Sequence, residues 1–218
     1  MIPLRDANPT RRTPVITLAI IAACVVVYGY QVLLLAQGGD DALDAFITRW
    51  GVVPAELVDA LRSGAFASME TVTLVTSQFL HGSLVHIAGN MLFLWIFGNN
   101  IEDRVGRRRF LIFYLLGGLA AAALQFLTGP NSDVPNIGAS GAIAAVLGGY
   151  LILYPRASVI TYIPPIFFFP LPAVLFLIGW IVLQVYAAGA VQVGSAGGGV
   201  AYFAHIGGFV FGLLTIRW

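Results

Sequence analysis

The sequence predicts an all-α membrane protein, with residues 1–218 forming one domain built as a bundle of six transmembrane helices. Three observations lead to this fold class. First, 59% of the 218 residues are hydrophobic and only 10% are charged, whereas a soluble domain carries about 25% charged residues. Second, apolar runs of membrane-spanning length recur along the chain. Third, the basic residues cluster in alternate connecting segments, as they do in membrane proteins.

The same composition excludes several classes of protein. A soluble globular domain would need more charge to cover its surface, and a disordered chain would be poorer in hydrophobic residues. The formal net charge of +1 provides no basic surface for nucleic acid. The single cysteine, Cys24, excludes a disulfide framework and a cysteine-based metal site.

The first predicted span follows residues 1–13, which we expect to form a cytoplasmic N-terminal segment. Its apolar run is longer than that of a signal peptide, which has about 7–15 residues, so we expect it to be retained. A long outer loop over 37–76 comes next. In that loop Pro54 opens an amphipathic stretch, which is read equally well as an interfacial helix or as an ordinary surface helix. The predicted spans are residues 15–36, 84–97, 110–128, 137–154, 170–191 and 200–216.

The distribution of arginine tests this number of spans. With the N-terminus inside, six spans leave only Arg49 and Arg62 on the outer side. An odd number of spans would mix the two groups, so both termini are predicted to be cytoplasmic, and the pattern suits a bacterial plasma membrane. The inner segments carry Arg5, Arg11, Arg12, Arg104, Arg107, Arg108, Arg109, Arg156 and Arg217.

Polar residues open the second, fourth and sixth spans. His86 and Asn90 are four residues apart in the second span and therefore share a helical face. Ser140 opens the fourth span and His205 the sixth. Because these three spans run in the same direction, their first turns meet on the outer side, below the membrane surface. Polar side chains at this depth cost free energy and mark candidate functional residues.

These residue types together indicate hydrolysis by a serine nucleophile. A serine hydroxyl needs an adjacent base, for which His205 is the candidate. Asn90, His86 and backbone N–H groups can donate hydrogen bonds to the oxyanion of a tetrahedral intermediate. No Asp or Glu lies deep in any span, so a Ser–His dyad is predicted rather than a triad. Taken singly, each residue could also have a purely structural role. A lone serine usually hydrogen-bonds a backbone carbonyl, and a lone histidine often joins two helices.

Small residues support close pairing of the fourth and sixth spans. Gly208 and Gly212 form a GxxxG motif after His205, and small residues recur every four positions from Ser140. Such stripes let helices approach closely in lipid, although they also occur in membrane proteins without any catalytic role. The chain has no HExxH motif, so zinc chemistry of that kind is not expected, and we expect neither a metal nor a cofactor.

Four segments together resemble the rhomboid family of intramembrane serine proteases. They are HGSLVHIAGN at residues 81–90, GNNIEDRVG at 98–106, GASG at 138–141 and AHIGGFVFG at 204–212. The similarity extends over about residues 71–212. It implies a six-helix bundle in which the serine of GASG is the nucleophile and the histidine of AHIGG is the general base.

The resemblance also implies supporting roles for other residues. It implies an oxyanion hole formed by His86, Asn90 and the backbone at Ser140. Glu102 would be structural and would tie the cytoplasmic end of the second span to its neighbours. The glycines of the motifs would support the site by close packing, namely Gly138, Gly141, Gly208 and Gly212.

The chain departs from the family pattern at two places. Many relatives carry a Trp-Arg pair before the histidine-rich segment, where this chain has Val72 and Thr73. Relatives often place an aromatic residue four positions after the serine, where this chain has Ala144. By the same pattern, the glycine-rich segment 192–200 would cap the site, and the fifth span, with Trp180, would lie on the side where a substrate helix enters.

The sequence therefore predicts an intramembrane serine endopeptidase that is embedded in membrane lipid and cleaves single-span transmembrane proteins near their outer ends. A non-catalytic rhomboid-like protein that binds or escorts membrane clients is the alternative from another class. A small transporter would need charged residues at mid-membrane depth, and the chain has none there.

Overall fold

The computed structural model describes residues 1–165, 167–194 and 201–217. Within these ranges the chain is mainly helical, as predicted. A 3₁₀ turn at Ser77–Phe79 follows the helix Met69–Thr76, and a π-helical stretch at Leu94–Gly98 joins the helices Leu84–Phe93 and Asn99–Val105. The elements in chain order are β1 (Ile2–Asp6), α1 (Val15–Trp50), α2 (Pro54–Arg62), α3 (Met69–Thr76), α4 (Leu84–Phe93), α5 (Asn99–Val105), α6 (Arg107–Thr128), α7 (Ser140–Leu153), β2 (Ser158–Ile163), β3 (Phe167–Pro172), α8 (Ala173–Gly194) and α9 (Tyr202–Thr215).

Four helical segments in the described part of the chain are long and apolar enough to cross a membrane. They are Val15–Trp50, Leu84–Val105, Arg107–Thr128 and Ala173–Ala190. The apolar helices α7 and α9 have 14 residues each, or about 21 Å of helix, against a hydrocarbon core of about 30 Å. The described residues therefore contain four full-length candidate spans and two shorter apolar helices.

Helix α7 lies at the centre of the bundle, and every residue from Gly141 to Tyr150 is buried. Irregular backbone is tolerated at membrane depth where protein surrounds it, so α7 can begin below the membrane surface. The chain before α7 is held by backbone hydrogen bonds. Val52 and Asn136 exchange two of them, at 3.1 and 2.8 Å, and the Gly138 N–H donates to the Ser77 carbonyl at 2.9 Å.

The segment 37–76, predicted as a long outer loop, is largely helical in the structure. Helix α1 continues to Trp50 and is interrupted only at Gly39, where φ is 69°. Asp40 and Asp41 follow that break, and acidic residues favour the start of a helix because they complement its dipole. The predicted amphipathic helix is present as α2, with Pro54 in its first turn.

A three-stranded antiparallel sheet in the order β1-β2-β3 corrects the prediction that every ordered element is a helix. Ser158 pairs with Pro172 in the β2–β3 hairpin, and Ile2 pairs with Tyr162 across β1–β2. Prolines disfavour helix at their own position and at the residue before. For this reason α8 begins at Ala173, after the last proline, and not at the predicted residue 170.

A buried carboxylate, Glu102, and a partly buried one, Asp6, hold the arginine-rich end of the bundle together. Glu102 accepts hydrogen bonds from the Ile16 N–H at 2.9 Å and from the Thr17 N–H and hydroxyl at 2.7 and 2.8 Å. It therefore satisfies donors at the start of α1 that have no partner within that helix. Asp6 of β1 accepts from the Tyr150 hydroxyl and the Asn100 amide, both at 2.7 Å. Burial raises the pKa of Asp6 above its ordinary value.

Candidate active site

Helices α7 and α9 pack through glycines, and this contact brings their first turns together. A Cβ on Gly208 would overlap the backbone oxygen of Gly141, and a Cβ on Gly212 would overlap that of Ala145. Residues 141 and 204 are also in contact, because a Cβ on Gly141 would lie 3.8 Å from the Ala204 Cβ. Ser140 directly precedes Gly141 in the chain, and His205 directly follows Ala204. The structure therefore brings these two predicted residues to one place.

His205 is buried, with 7% of its surface exposed, and its ring is held by helix α8. Its Nδ1 atom lies 2.7 Å from Oε1 of Gln184. Because an amide oxygen can only accept a hydrogen bond, Nδ1 carries the proton in this contact. The neutral ring then has its lone pair on Nε2, the form that a general base needs. Trp180, one turn before Gln184, packs against the ring with centroids 5.7 Å apart.

The Ser140 hydroxyl is partly buried at the first position of α7. Among the described residues it makes no hydrogen bond, so the Ser140–His205 hydrogen bond is not closed in this conformation. Catalytic hydrogen bonds in substrate-free enzymes are often long and tighten only when substrate binds. The structure shows the two residues on adjacent helix ends, without the final contact between them.

His86 lies against the turn that precedes Ser140. Its Nδ1 atom accepts a hydrogen bond from the Gly82 N–H at 3.4 Å. In the neutral ring the other nitrogen, Nε2, then carries the hydrogen and is a donor. That nitrogen faces Gly138, because a Cβ added to this glycine would lie 2.8 Å from it. Gly138 has a φ of 125°, a conformation that other residues rarely adopt.

Asn90 completes the group of donors near Ser140. It is buried, and its Nδ2 atom has no hydrogen-bond partner among the described residues. A Cβ on Gly138 would lie 3.8 Å from this Nδ2, so the amide and the His86 ring face the same turn. A buried donor without a partner is costly. An unpaired donor beside a candidate nucleophile is suited to binding an oxyanion.

A small cavity of about 50 Å³ adjoins Ser140, with room for a few water molecules. Its polar lining includes Gln78 and Gln125. The Gln78 Oε1 atom is buried without a partner among the described residues. Gln125 accepts a hydrogen bond from the Ala204 N–H at 3.2 Å and so fixes the residue before His205. The cavity thus places polar groups and space for water beside the serine.

The sequence reasoning missed Gln184 and Gln125, although each carried a signal. Gln184 is a side-chain amide inside an apolar helix, and such a residue at membrane depth is a candidate functional residue. The segment 192–200, predicted to cap the site, lies largely outside the described residues. No cluster of three or more potential metal ligands occurs among residues 1–165, 167–194 and 201–217.

Comparisons with known proteins agree with the motifs. Residues 68–217 match the sequence profile of the rhomboid domain. RHOMBOID-like protein 12, mitochondrial, of Arabidopsis thaliana is 34% identical over 162 residues, covering 66% of this chain and 45% of the relative. Presenilin-associated rhomboid-like protein A, mitochondrial, of Danio rerio is 30% identical over 166 residues, covering 73% and 40%. Rhomboid protein 1, mitochondrial, of Saccharomyces cerevisiae is 29% identical over 148 residues, covering 66% and 40%.

These relatives correct one prediction. Their names place them in mitochondria, so the prediction of a bacterial plasma membrane is wrong. The chain spans less than half the length of these three relatives. The profile match covers more than half of the chain, and the motifs within it surround Ser140 and His205. The chain belongs to the rhomboid family, whose members are generally intramembrane serine proteases.

Proposed function

We propose that this protein is an intramembrane serine endopeptidase in which Ser140 is the nucleophile and His205 the general base. The observation that carries the proposal is which nitrogen of the His205 ring carries the proton. Its Nδ1–H is engaged by Gln184 at 2.7 Å, which leaves the Nε2 lone pair for the serine hydroxyl. The glycine contacts between α7 and α9 support the pairing because they set the two residues at adjacent helix ends.

The reaction then follows from these groups. The Ser140 oxygen attacks the scissile carbonyl carbon while His205 Nε2 takes the hydroxyl proton. The developing oxyanion accepts hydrogen bonds from His86 Nε2–H, Asn90 Nδ2–H and the Ser140 backbone N–H. His205 passes its proton to the leaving amine, which departs and leaves an acyl ester on Ser140. Water, deprotonated by His205, hydrolyses the ester and restores the serine hydroxyl.

The proposed substrates are single-span transmembrane proteins. Peptide bonds in a transmembrane helix are hydrogen-bonded within the helix, so cleavage requires local unwinding, which small residues and helix breakers favour. We infer that the substrate enters beside α8. Residues on its outward surface are apolar and exposed. For example, 58% of the surface of Val182 and 54% of that of Leu183 is exposed. They provide a surface that another helix in the lipid can contact.

The proposed topology has six membrane-crossing segments, with both termini on the arginine-rich side. The four long spans provide four of these crossings. The short helices α7 and α9 provide the other two. The site then opens toward the opposite side, where α7 and α9 begin. Since the relatives are mitochondrial proteins, we propose a mitochondrial membrane as the location.

Cleavage of a tagged single-span substrate by the purified protein, in detergent or in liposomes, tests this function. We expect a product band that is lost in both Ser140→Ala and His205→Ala. Thr128→Ala at the end of α6 is a matched control, because that hydroxyl bonds only its own helix, at 3.3 and 2.9 Å. Cleavage that survives Ser140→Ala would refute the proposal. If the protein binds a membrane client but neither cleaves it nor is labelled on Ser140 by a serine-reactive probe, the result would instead favour an escort protein.

A further inference from the structure

Gln184 is the polar residue of α8 that contacts the candidate base. Its Oε1 atom lies 2.7 Å from His205 Nδ1, a short distance for an N–H···O hydrogen bond. In the Ser-His-Asp triad, an acidic side chain in this position holds the imidazole in the correct tautomer and orientation. Helices α7, α8 and α9 contain no Asp or Glu. A neutral amide therefore stands where a triad has a carboxylate.

We propose that Gln184 is the positioning residue of His205, fixing the tautomer with the proton on Nδ1 so that Nε2 can accept the proton of Ser140. This inference rests on the function proposed above. It also accounts for a site that has Ala144, and no aromatic ring, four residues after the serine. In this chain the His205 ring is held by residues of α8 instead.

Trp180 contributes to the same support. It precedes Gln184 by four residues and so lies on the same face of α8. Its ring packs on His205 with centroids 5.7 Å apart and an interplanar angle of 38°. The amide fixes the ring in its plane through a hydrogen bond, and the indole limits its tilt. One helical face thus supplies both contacts, and a displacement of α8 would release both.

The alternative is that Gln184 only joins α8 to α9. Polar side chains often hydrogen-bond across helices in membranes, and such contacts add stability without any catalytic role. The two accounts differ in what happens to the histidine when the acceptor is removed. A merely structural contact predicts lower thermal stability and an unchanged rate per folded molecule, whereas a positioning contact predicts a changed tautomer and a lower kcat.

The kinetic test uses two variants of Gln184. Gln184→Met keeps the length of the side chain but removes the acceptor, while Gln184→Glu keeps an acceptor oxygen. We expect kcat for a tagged transmembrane substrate to fall about tenfold in Gln184→Met, the rate equivalent of one ordinary hydrogen bond, with KM within about twofold. Gln184→Glu should recover most of that loss. Tyr186→Phe is the control on α8, because Tyr186 is 76% exposed.

The spectroscopic test reads the tautomer directly. The chain has only three histidines, so protein labelled with ¹⁵N-histidine in micelles gives few signals, and His205→Ala identifies the one of interest. We expect His205 to be protonated on Nδ1 in the unaltered protein and to lose that preference in Gln184→Met. An unchanged tautomer in Gln184→Met, or a changed tautomer with an unchanged kcat, would overturn the inference.

The two tests separate this inference from the proposed function. If the unaltered protein neither cleaves a substrate nor reacts with a serine-directed probe, the proposed function fails. The positioning role in catalysis fails with it, while the spectra still show whether Gln184 sets the tautomer. If the unaltered protein cleaves and Gln184→Met cleaves equally fast, the proposed function stands and the role of Gln184 is refuted.

Discussion

Replacing Gly138 with alanine perturbs the proposed oxyanion site at one atom. Gly138 lies two residues before Ser140 and has a φ of 125°. The added Cβ would lie 2.8 Å from His86 Nε2 and 2.9 Å from Cε1. Both of these atoms belong to the His86 ring, whose Nδ1 accepts the Gly82 N–H at 3.4 Å, so the ring must move to make room. The substitution should therefore displace the proposed donor.

The size of the effect follows from this geometry. An ordinary contact begins at 3.4 Å, so the His86 nitrogen must retreat by about 0.6 Å, enough to weaken a hydrogen bond to an oxyanion. Loss of one oxyanion donor lowers kcat by about 10²–10³. The unfavourable φ at residue 138 adds a stability cost of about 1–3 kcal/mol. We expect a large loss of kcat and a moderate loss of thermal stability.

The assay compares kcat for a transmembrane substrate with the melting temperature of the same preparation. Gly129→Ala is the matched control, because Gly129 lies in the same connecting segment and its nearest contact to an added Cβ is 3.9 Å. Its φ of −152° is also accessible to alanine. If Gly138→Ala retained kcat within about twofold while remaining folded, the placement of His86 in the oxyanion site would be wrong.

Three further outcomes follow from the structure. Asn90→Ala should lower kcat by about 10²–10³ with little change in melting temperature, because its Nδ2 has no partner to lose; a collapsed fold would make Asn90 structural instead. Gly208→Ala should reduce both activity and melting temperature, since its methyl group would overlap the Gly141 carbonyl and separate α7 from α9; an unchanged protein would contradict this packing. Asp6→Ala should lower the free energy of unfolding by about 1–3 kcal/mol, because the buried Tyr150 hydroxyl would lose the Asp6 acceptor and the Asn100 amide one of its acceptors. Asp6→Asn keeps an acceptor and should cost less. Burial raises the pKa of Asp6 in the folded protein, so the stability of the unaltered protein relative to Asp6→Asn should fall as pH rises through that pKa. Melting curves at several pH values will measure this difference.

Patterns that repeat along the chain predicted much of the helical architecture. Apolar runs marked the helices, and the GxxxG spacing of Gly208 and Gly212 anticipated the close approach of α9 to α7 seen in the structure. Ser140 and His205 could be proposed as partners because both open apolar helices that run in the same direction. These features depend on helix periodicity and direction, which are local properties of the sequence.

Features that depend on contacts between distant segments were not predicted. Strand β1 forms only because β2 lies beside it, some 150 residues later in the chain. The continuation of α1 as a helix beyond Gly39 was not predicted, because glycines and aspartates ordinarily indicate a loop. Gln184 was overlooked because its role appears only when α8 is placed against His205. Neither periodicity nor spacing specifies that placement.

The most direct test of the central claim is covalent labelling of the nucleophile. A fluorophosphonate probe should react with the purified protein, and mass spectrometry should place the adduct on Ser140 alone. The adduct should be lost in His205→Ala, because the serine is unreactive without its base. An adduct on another residue, or full labelling of Ser140 in His205→Ala, would contradict the proposed Ser140–His205 dyad.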